Sequence, residues 1–311
     1  MTFPLIKLRL TFRALQDMRF PLYAGSALRG IFGKSLRRVS CLAKKEDCAG
    51  CAAVSSCPYA AVFENGYIAA SNGGEKTNPY IIEPMTMGSK NIAQNDFFSF
   101  NCLLFGTAVE KMSYVLLAWS KTGNMGFTRE RTQARLIRVY QVMADGTDRL
   151  LYDFEDNEAE TVEAQSDFSL PEETELSSVR VVLQTPMRIQ HNKHPVSAEN
   201  FTAKDFLISV IHRQQILTKQ HIPDYPAIDF DTLRPAIESA TLSDADLHWF
   251  DWQRYSSRQK STIALGGVMG KFTLNGNLKK LYPYLVMGEY FHAGKSAVLG
   301  MGKYVLDTGK R

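Results

Sequence analysis

The strongest constraint on the fold is an order of hydrophobic periods that occurs twice. Residues 5–12 alternate apolar and polar positions, as a half-buried strand does, and 24–39 carry a helical period. Strand-like stretches follow at 80–85 and 97–105, then a helical one at 108–120 and a strand at 135–142. The order returns with a strand at 179–190, a helix at 203–219 and a hairpin of 249–264 with 268–274, turning at Gly266 and Gly267. A helix at 278–288 and a strand at 304–307 close the second half. Two successive βαββαβ units predict an α+β chain of tandem ferredoxin-like (RRM-like) domains, 1–150 and 179–311.

Charge is distributed unevenly between these halves. Residues 151–178 are rich in Asp and Glu and contain no Lys or Arg, so they read as an acidic linker or solvated excursion. The formal net charge is only +4, so the remainder is strongly basic, notably 24–45 and 254–311. A polyanion is the partner such a balance implies. No apolar run reaches the length of a membrane-spanning helix, which takes roughly 20 residues, and the charged start MTFPLIKLRL differs from a signal peptide; the expected location is the cytoplasm, with no membrane partner.

On a wheel of the first predicted helix, Leu28, Ile31, Phe32, Leu36 and Val39 share one side, while Arg29, Lys34, Arg37 and Arg38 take the other. The helix is apolar behind and basic in front. A cysteine-rich insert at 41–58 follows, in which Cys41, Cys48, Cys51 and Cys57 include a CxxC pair. In a reducing compartment this spacing favours a metal over disulfides: four thiolates suit structural zinc, the Cys57-Pro58 ending also fits an iron–sulfur cluster, and free or vestigial thiols are the remaining alternative. No open coordination position is implied, so the metal is not catalytic. Cys102 reads as a core residue.

Near the C-terminus the glycine-rich loop 294–302, with Gly294, Lys295, Ser296, Gly300, Gly302 and the adjoining Lys303, could bring backbone amides and two lysines against phosphates. It lacks the spacing of a Walker A loop, and a turn that needs positive φ explains the same glycines. Arg254, Arg258 and Lys260 alternate on one predicted strand beside Tyr255, an arrangement suited to following a phosphate backbone while an aromatic ring stacks on a base.

Four segments, GSALRGIFGKSLRRVSC, DCAGCAAVSSCPYAAVFE, WQRYSSRQKSTIALGGVMG and LVMGEYFHAGKSAVLGMGKY, taken in that order, resemble the successive signatures of the CRISPR repeat-RNA (pre-crRNA) processing endoribonucleases. These belong to the repeat-associated mysterious protein (RAMP) superfamily. The resemblance implies two ferredoxin-like domains, binding of CRISPR repeat RNA, and one metal-independent cut per repeat. In the implied reaction the 2′-hydroxyl attacks the adjacent phosphorus and leaves 2′,3′-cyclic phosphate and 5′-hydroxyl ends.

The chain departs from the family pattern in having no histidine among residues 1–190, whereas many relatives carry a catalytic one on or near the first helix. His292 is then the candidate base, Lys34 a charge-stabilising group or alternative base, and Tyr23 a residue to orient the ribose. His191 and His194, in a strand-to-helix loop, are candidate RNA contacts. The departure leaves open a non-catalytic crRNA-binding subunit of a CRISPR ribonucleoprotein; an effector or adaptation complex is a candidate partner, and the chain ending soon after its last predicted strand permits its being one domain of a larger fusion with CRISPR adaptation enzymes.

Overall fold

A computed structural model describes residues 2–44, 48–64, 77–85, 87–128, 130–155, 167–222, 225–256 and 261–307. The chain divides into two compact units: Thr2–Phe168 with Leu217–Asp224, and Ser169–Ile216 with Tyr225–Arg311.

The first unit contains β1 (Thr2–Ala14), β2 (Met18–Phe20), α1 (Gly25–Ser40), β3 (Tyr80–Glu83), β4 (Lys90–Ile92), β5 (Phe97–Phe105), α2 (Met112–Thr122), β6 (Ala134–Val142), β7 (Asp148–Asp153) and most of β8 (Asp167–Ser169). Its sheet runs β3-β5-β1-β6-β7, with β8 also pairing β1. Strand β1 lies antiparallel between β5 and β6, which gives the four βαββαβ strands their ferredoxin-like order. Leu8, Leu10 and Phe12 alternate inward and are completely buried. On that side Phe32 of α1 stacks on Trp119 of α2 with ring centroids 4.8 Å apart, and Phe12 meets Phe100 at 5.5 Å. Each such ring contributes roughly 1.5–3 kcal/mol by leaving water.

The opposite face of β1 holds the residues of odd number. Lys7 pairs with buried Glu83 at 2.9 Å, Arg9 with Asp148, and Arg13 with Glu155 at 2.8 Å. Arg138 of β6 reaches Asp153 at 2.6 Å. The reading of 151–178 as wholly linker or excursion is therefore corrected. Its first residues finish β7, β8 adds to the sheet, and Asp153 and Glu155 neutralise sheet cations instead of facing only solvent. Residues 156–166 lie outside the described residues.

The second unit contains β9 (Ser178–Met187), β10 (Gln190–His191), β11 (His194–Pro195), α3 (Ala203–His221), α4 (Phe230–Ser239), β12 (Thr241–Phe250), β13 (Gln253–Ser256), β14 (Ser261–Ala264), β15 (Gly267–Asn275), α5 (Tyr282–Phe291) and β16 (Tyr304–Asp307). The end of α3 from Leu217 onward groups with the first unit. The sheet order β12-β15-β9-β16 repeats the ferredoxin-like arrangement. Phe206 of α3 sits against Phe272 and Tyr304, with centroids 5.2 and 5.1 Å away. Helix α5 approaches β16 closely at Gly288, where a Cβ would lie 2.0 Å from the Tyr304 hydroxyl oxygen.

The expected hairpin at Gly266 and Gly267 differs in partner. Strand β15 pairs with β12, which begins at Thr241, while β13 and β14 form a separate two-stranded arm. Gly267 is the first residue of β15, packed so closely that a Cβ would stand 2.8 Å from the Met187 backbone.

Candidate nucleic-acid interface

Helix α1 presents the basic face expected from its periodicity, but its four cations do not behave alike. Lys34 and Arg38 are exposed, whereas Arg29 and Arg37 are half-buried against aromatic rings. The Arg29 guanidinium carbon lies 4.4 Å from the centre of the Phe63 ring, and that of Arg37 lies 5.5 Å from the Tyr59 ring. Such cation–π contacts hold a guanidinium in place without neutralising it. Phe63 packs where α1 has no side chain: a Cβ on Gly33 would stand 2.2 Å from the ring. Tyr59 in turn donates a hydrogen bond to Glu64 at 3.0 Å. The segment after Cys57 therefore splints the helix face. Beneath it Tyr80 is fully buried, and burial pushes its phenol up to about 12 although Arg29 pulls the other way.

Tyr23 sits at the start of α1, buried in the core. Burial, and then the Glu83 carboxylate, hold its phenol well above its ordinary pKa. The expectation that it orients a ribose is corrected, since 4% exposure leaves the side chain no surface for RNA.

His292 is corrected on the same ground. Its side chain is fully buried, and its Nδ1 meets the Met301 carbonyl oxygen at 3.0 Å. Because a carbonyl only accepts, that nitrogen carries the proton. The residue ends α5 at φ 59°, ψ 178°, a backbone region almost confined to glycine. It is a structural pin of the glycine-rich loop and cannot be the group that touches a 2′-hydroxyl.

The loop itself spends its amides internally. Lys295 N–H donates to the Arg188 carbonyl at 2.9 Å, Gly302 N–H to Pro186 at 2.9 Å, Gly300 N–H to Ala297 at 2.7 Å, and Lys303 N–H to the Thr185 hydroxyl at 2.8 Å. Gly294 and Gly302 have φ of 78° and 70°, and a Cβ on Gly302 would lie 1.7 Å from the Ala293 oxygen. Ser296 adopts the left-handed conformation at φ 64°. These positions serve close backbone packing on the end of β9 rather than a row of phosphate-facing amides. At the surface the loop offers exposed Lys295 and half-buried Lys303.

His191 and His194 face each other across a two-residue turn, with Asn192 at φ 49° and Lys193 at φ 69°, instead of lying in a plain strand-to-helix loop. Both are exposed, and His191 Nε2 stands 2.9 Å from Asp205 Oδ1. Asp205 is in turn fixed by Thr202, whose hydroxyl donates at 2.7 Å in a capping box at the start of α3. Arg254 and Tyr255 lie on β13, opposite Ile263 and Thr262. That strand ends at Ser256, so the alternation does not extend to Arg258 and Lys260, which lie outside the described residues.

Cys41, Cys48, Cys51 and Cys57 are half-buried free thiols that line one cavity of about 240 Å³ in the first unit. Among the described residues no three His, Cys, Asp or Glu groups are already gathered at metal-binding spacing. Cys102 is fully buried, and its thiol is pushed up to about 12 by that burial. Reasoning from sequence missed the roles of Tyr59 and Phe63, which the run CPYAAVFE signalled only as aromatics, and of Arg188, whose guanidinium donates to the Gly266 carbonyl at 2.8 Å.

Known proteins place this geometry. Residues 3–166 match the model of an N-terminal domain family, AF_1859_N, and residues 181–304 match that of the CRISPR-associated endoribonuclease Cas6. The chain belongs to that N-terminal domain family, and its residues 181–304 are similar to the CRISPR-associated Cas6 endoribonucleases. A Cas6 product complex is 14% identical with a TM-score of 0.61, over 97% of this chain and 99% of that one. Thermus thermophilus Cas6 is 14% identical with a TM-score of 0.55, over 98% of each chain. A partial Cas6-RT-Cas1-Cas2 complex is 16% identical with a TM-score of 0.60, over 98% of this chain but 46% of that one. These likenesses show the fold. No curated protein is significantly similar in sequence. Among the described residues no helix is long and apolar enough to cross a membrane.

Proposed function

We propose that the chain cleaves CRISPR repeat RNA once per repeat without a catalytic metal. The RNA's own 2′-oxygen attacks the adjacent phosphorus, the bond from phosphorus to the 5′-oxygen breaks, and 2′,3′-cyclic phosphate and 5′-hydroxyl ends result. One proton leaves the 2′-hydroxyl and one joins the departing oxygen, so no oxidant or external nucleophile enters. The observation that carries this reading is the Cas6 match over 181–304 in a chain whose α1 holds Arg29 and Arg37 on aromatic rings beside exposed Lys34 and Arg38. Held guanidiniums suit a phosphate backbone, and a lysine ammonium on the same face suits the charge that develops on the phosphorane. Lys295 and Lys303 of the second unit add backbone contacts, as do His191 and His194 on their turn.

Incubation with cognate repeat RNA in EDTA should give a single cut, and a 2′-deoxy sugar at that position should abolish it. Cleavage of the deoxy substrate would reject the mechanism. Lys34→Ala should slow single-turnover cleavage by about 10²-fold or more while leaving repeat binding within a few-fold.

The absence of histidine from residues 1–190 and the burial of His292 favour one second reading, a crRNA-binding subunit without cleavage. Tight, salt-dependent repeat binding with intact RNA recovered at every time point would select it. Association with adaptation proteins is supported by the likeness to part of a Cas6-RT-Cas1-Cas2 complex, and co-purification with the neighbouring adaptation proteins tests it.

A further inference from the structure

A cavity at the C-terminal end of α1 is lined by Cys41, Cys48, Cys51 and Cys57. Cys41 caps α1, with its N–H on the Arg37 carbonyl at 2.8 Å. Cys51 N–H donates to the Cys48 carbonyl at 3.2 Å, which bends the CxxC pair into a turn with both side chains on the cavity. The Cys57 carbonyl accepts from Ala61 N–H at 3.0 Å and opens the helical turn that carries Tyr59 and Phe63. Three separate backbone devices thus aim four free thiols into one space, whose other walls include Val39, Leu42, Val54 and Tyr114.

Four thiolates in such a space repel unless a cation joins them. Soft sulfur donors in fourfold number match tetrahedral zinc, and the described lining holds no His or carboxylate to make an open site.

We propose that Cys41, Cys48, Cys51 and Cys57 bind one zinc ion as a structural tetrathiolate that clasps the insert to the C-terminal end of α1. Binding releases four protons and leaves a centre of net charge −2 beside Arg37 and Arg38. Because four thiols must lose their protons and converge on one ion, metal binding is coupled to local ordering around the cavity. Through Tyr59 the clasp also fixes Arg37. The metal assignment is independent of the RNA reaction; only the Arg37 clause rests on the RNA reading.

The test uses the full chain purified under reducing conditions. Elemental analysis should find about one zinc per chain. Replacement by cobalt should give a thiolate-to-cobalt charge-transfer band. Cys48→Ser and Cys51→Ser should each lower zinc content at least several-fold. Since a variant could misfold, the wild-type chain is also titrated with a mercurial in the presence of a chromogenic zinc indicator. Zinc should appear in step with the thiols modified, with far-UV circular dichroism unchanged outside a small local loss. Chain purified free of metal that gives no cobalt band would overturn the proposal, and so would iron with inorganic sulfide in place of zinc, or full zinc retained by Cys48→Ser. Cleavage activity enters none of these readouts, so a failed nuclease reading and a failed metal reading are told apart.

Discussion

Substitution of His292 separates a structural pin from a catalytic base. The residue is fully buried at φ 59°, ψ 178°, and donates from Nδ1 to Met301 O. Alanine removes a hydrogen bond worth about 1 kcal/mol and leaves a void in a closed core, for a loss of roughly 2–4 kcal/mol. Glycine removes the same side chain yet relieves a backbone conformation that costs other residues about 1–3 kcal/mol. Its extra freedom in the unfolded chain takes back about 0.4–1 kcal/mol. His292→Gly should therefore be more stable than His292→Ala by roughly 1–2 kcal/mol, the reverse of the usual order. Urea unfolding followed by circular dichroism measures the difference. In single-turnover cleavage with repeat RNA, His292→Asn, which keeps a donor for Met301, should stay within a few-fold of wild type under conditions where it is folded. A general base would cost about 10²–10⁴-fold. An alanine variant more stable than the glycine variant, or a folded asparagine variant that no longer cuts, would refute the reasoning.

Gly33→Ala should disturb the α1 face without touching a cation. Its Cβ must push aside the Phe63 ring that supports Arg29, costing about 1–3 kcal/mol and weakening repeat binding in a filter-binding assay, while an alanine at Gly30, inside the helix with nothing within 4 Å, should leave binding unchanged and raise stability by about 0.5–1 kcal/mol. Alkaline stability follows from Cys102, whose thiol goes from an ordinary 9.0 to about 12 when buried. The folded state then holds a proton that the unfolded chain releases, so this contribution is intact below pH 9.0 and is lost as pH rises toward about 12, with a slope of up to about 1.4 kcal/mol per pH unit. Cys102→Ala should flatten that part of the stability profile; an unchanged slope would show that the thiol is not the group titrating.

The periodicities of β1, β5, α1, α3 and β9 were legible because each element buries one face, and burial of one face writes its period into the chain. The order of those periods, repeated, already limited the fold to paired βαββαβ units. Helix α4 went unread in the sequence, although Asp229 caps it and Leu233 and Ile237 are buried one turn apart. What the residues alone left open was which partner each surface group meets. The basic wheel of α1 is local and readable, but its division into held Arg29 and Arg37 and exposed Lys34 depends on rings that arrive from residues 59–63. The acids near 153 look like solvated charge until β7 brings them against Arg138 and Arg13.

Local rules act over a few residues, so the main helices and strands, their doubled order, the clustering of four cysteines and the strongly basic segments could be read along the chain. Burial is a property of the assembled chain, so only the tertiary structure decided that His292 and Tyr23 lie where RNA cannot reach them. It also decided that the glycines of 294–302 serve backbone packing, and that Cys41, separated from Cys57 by a bent insert, opens on the same cavity.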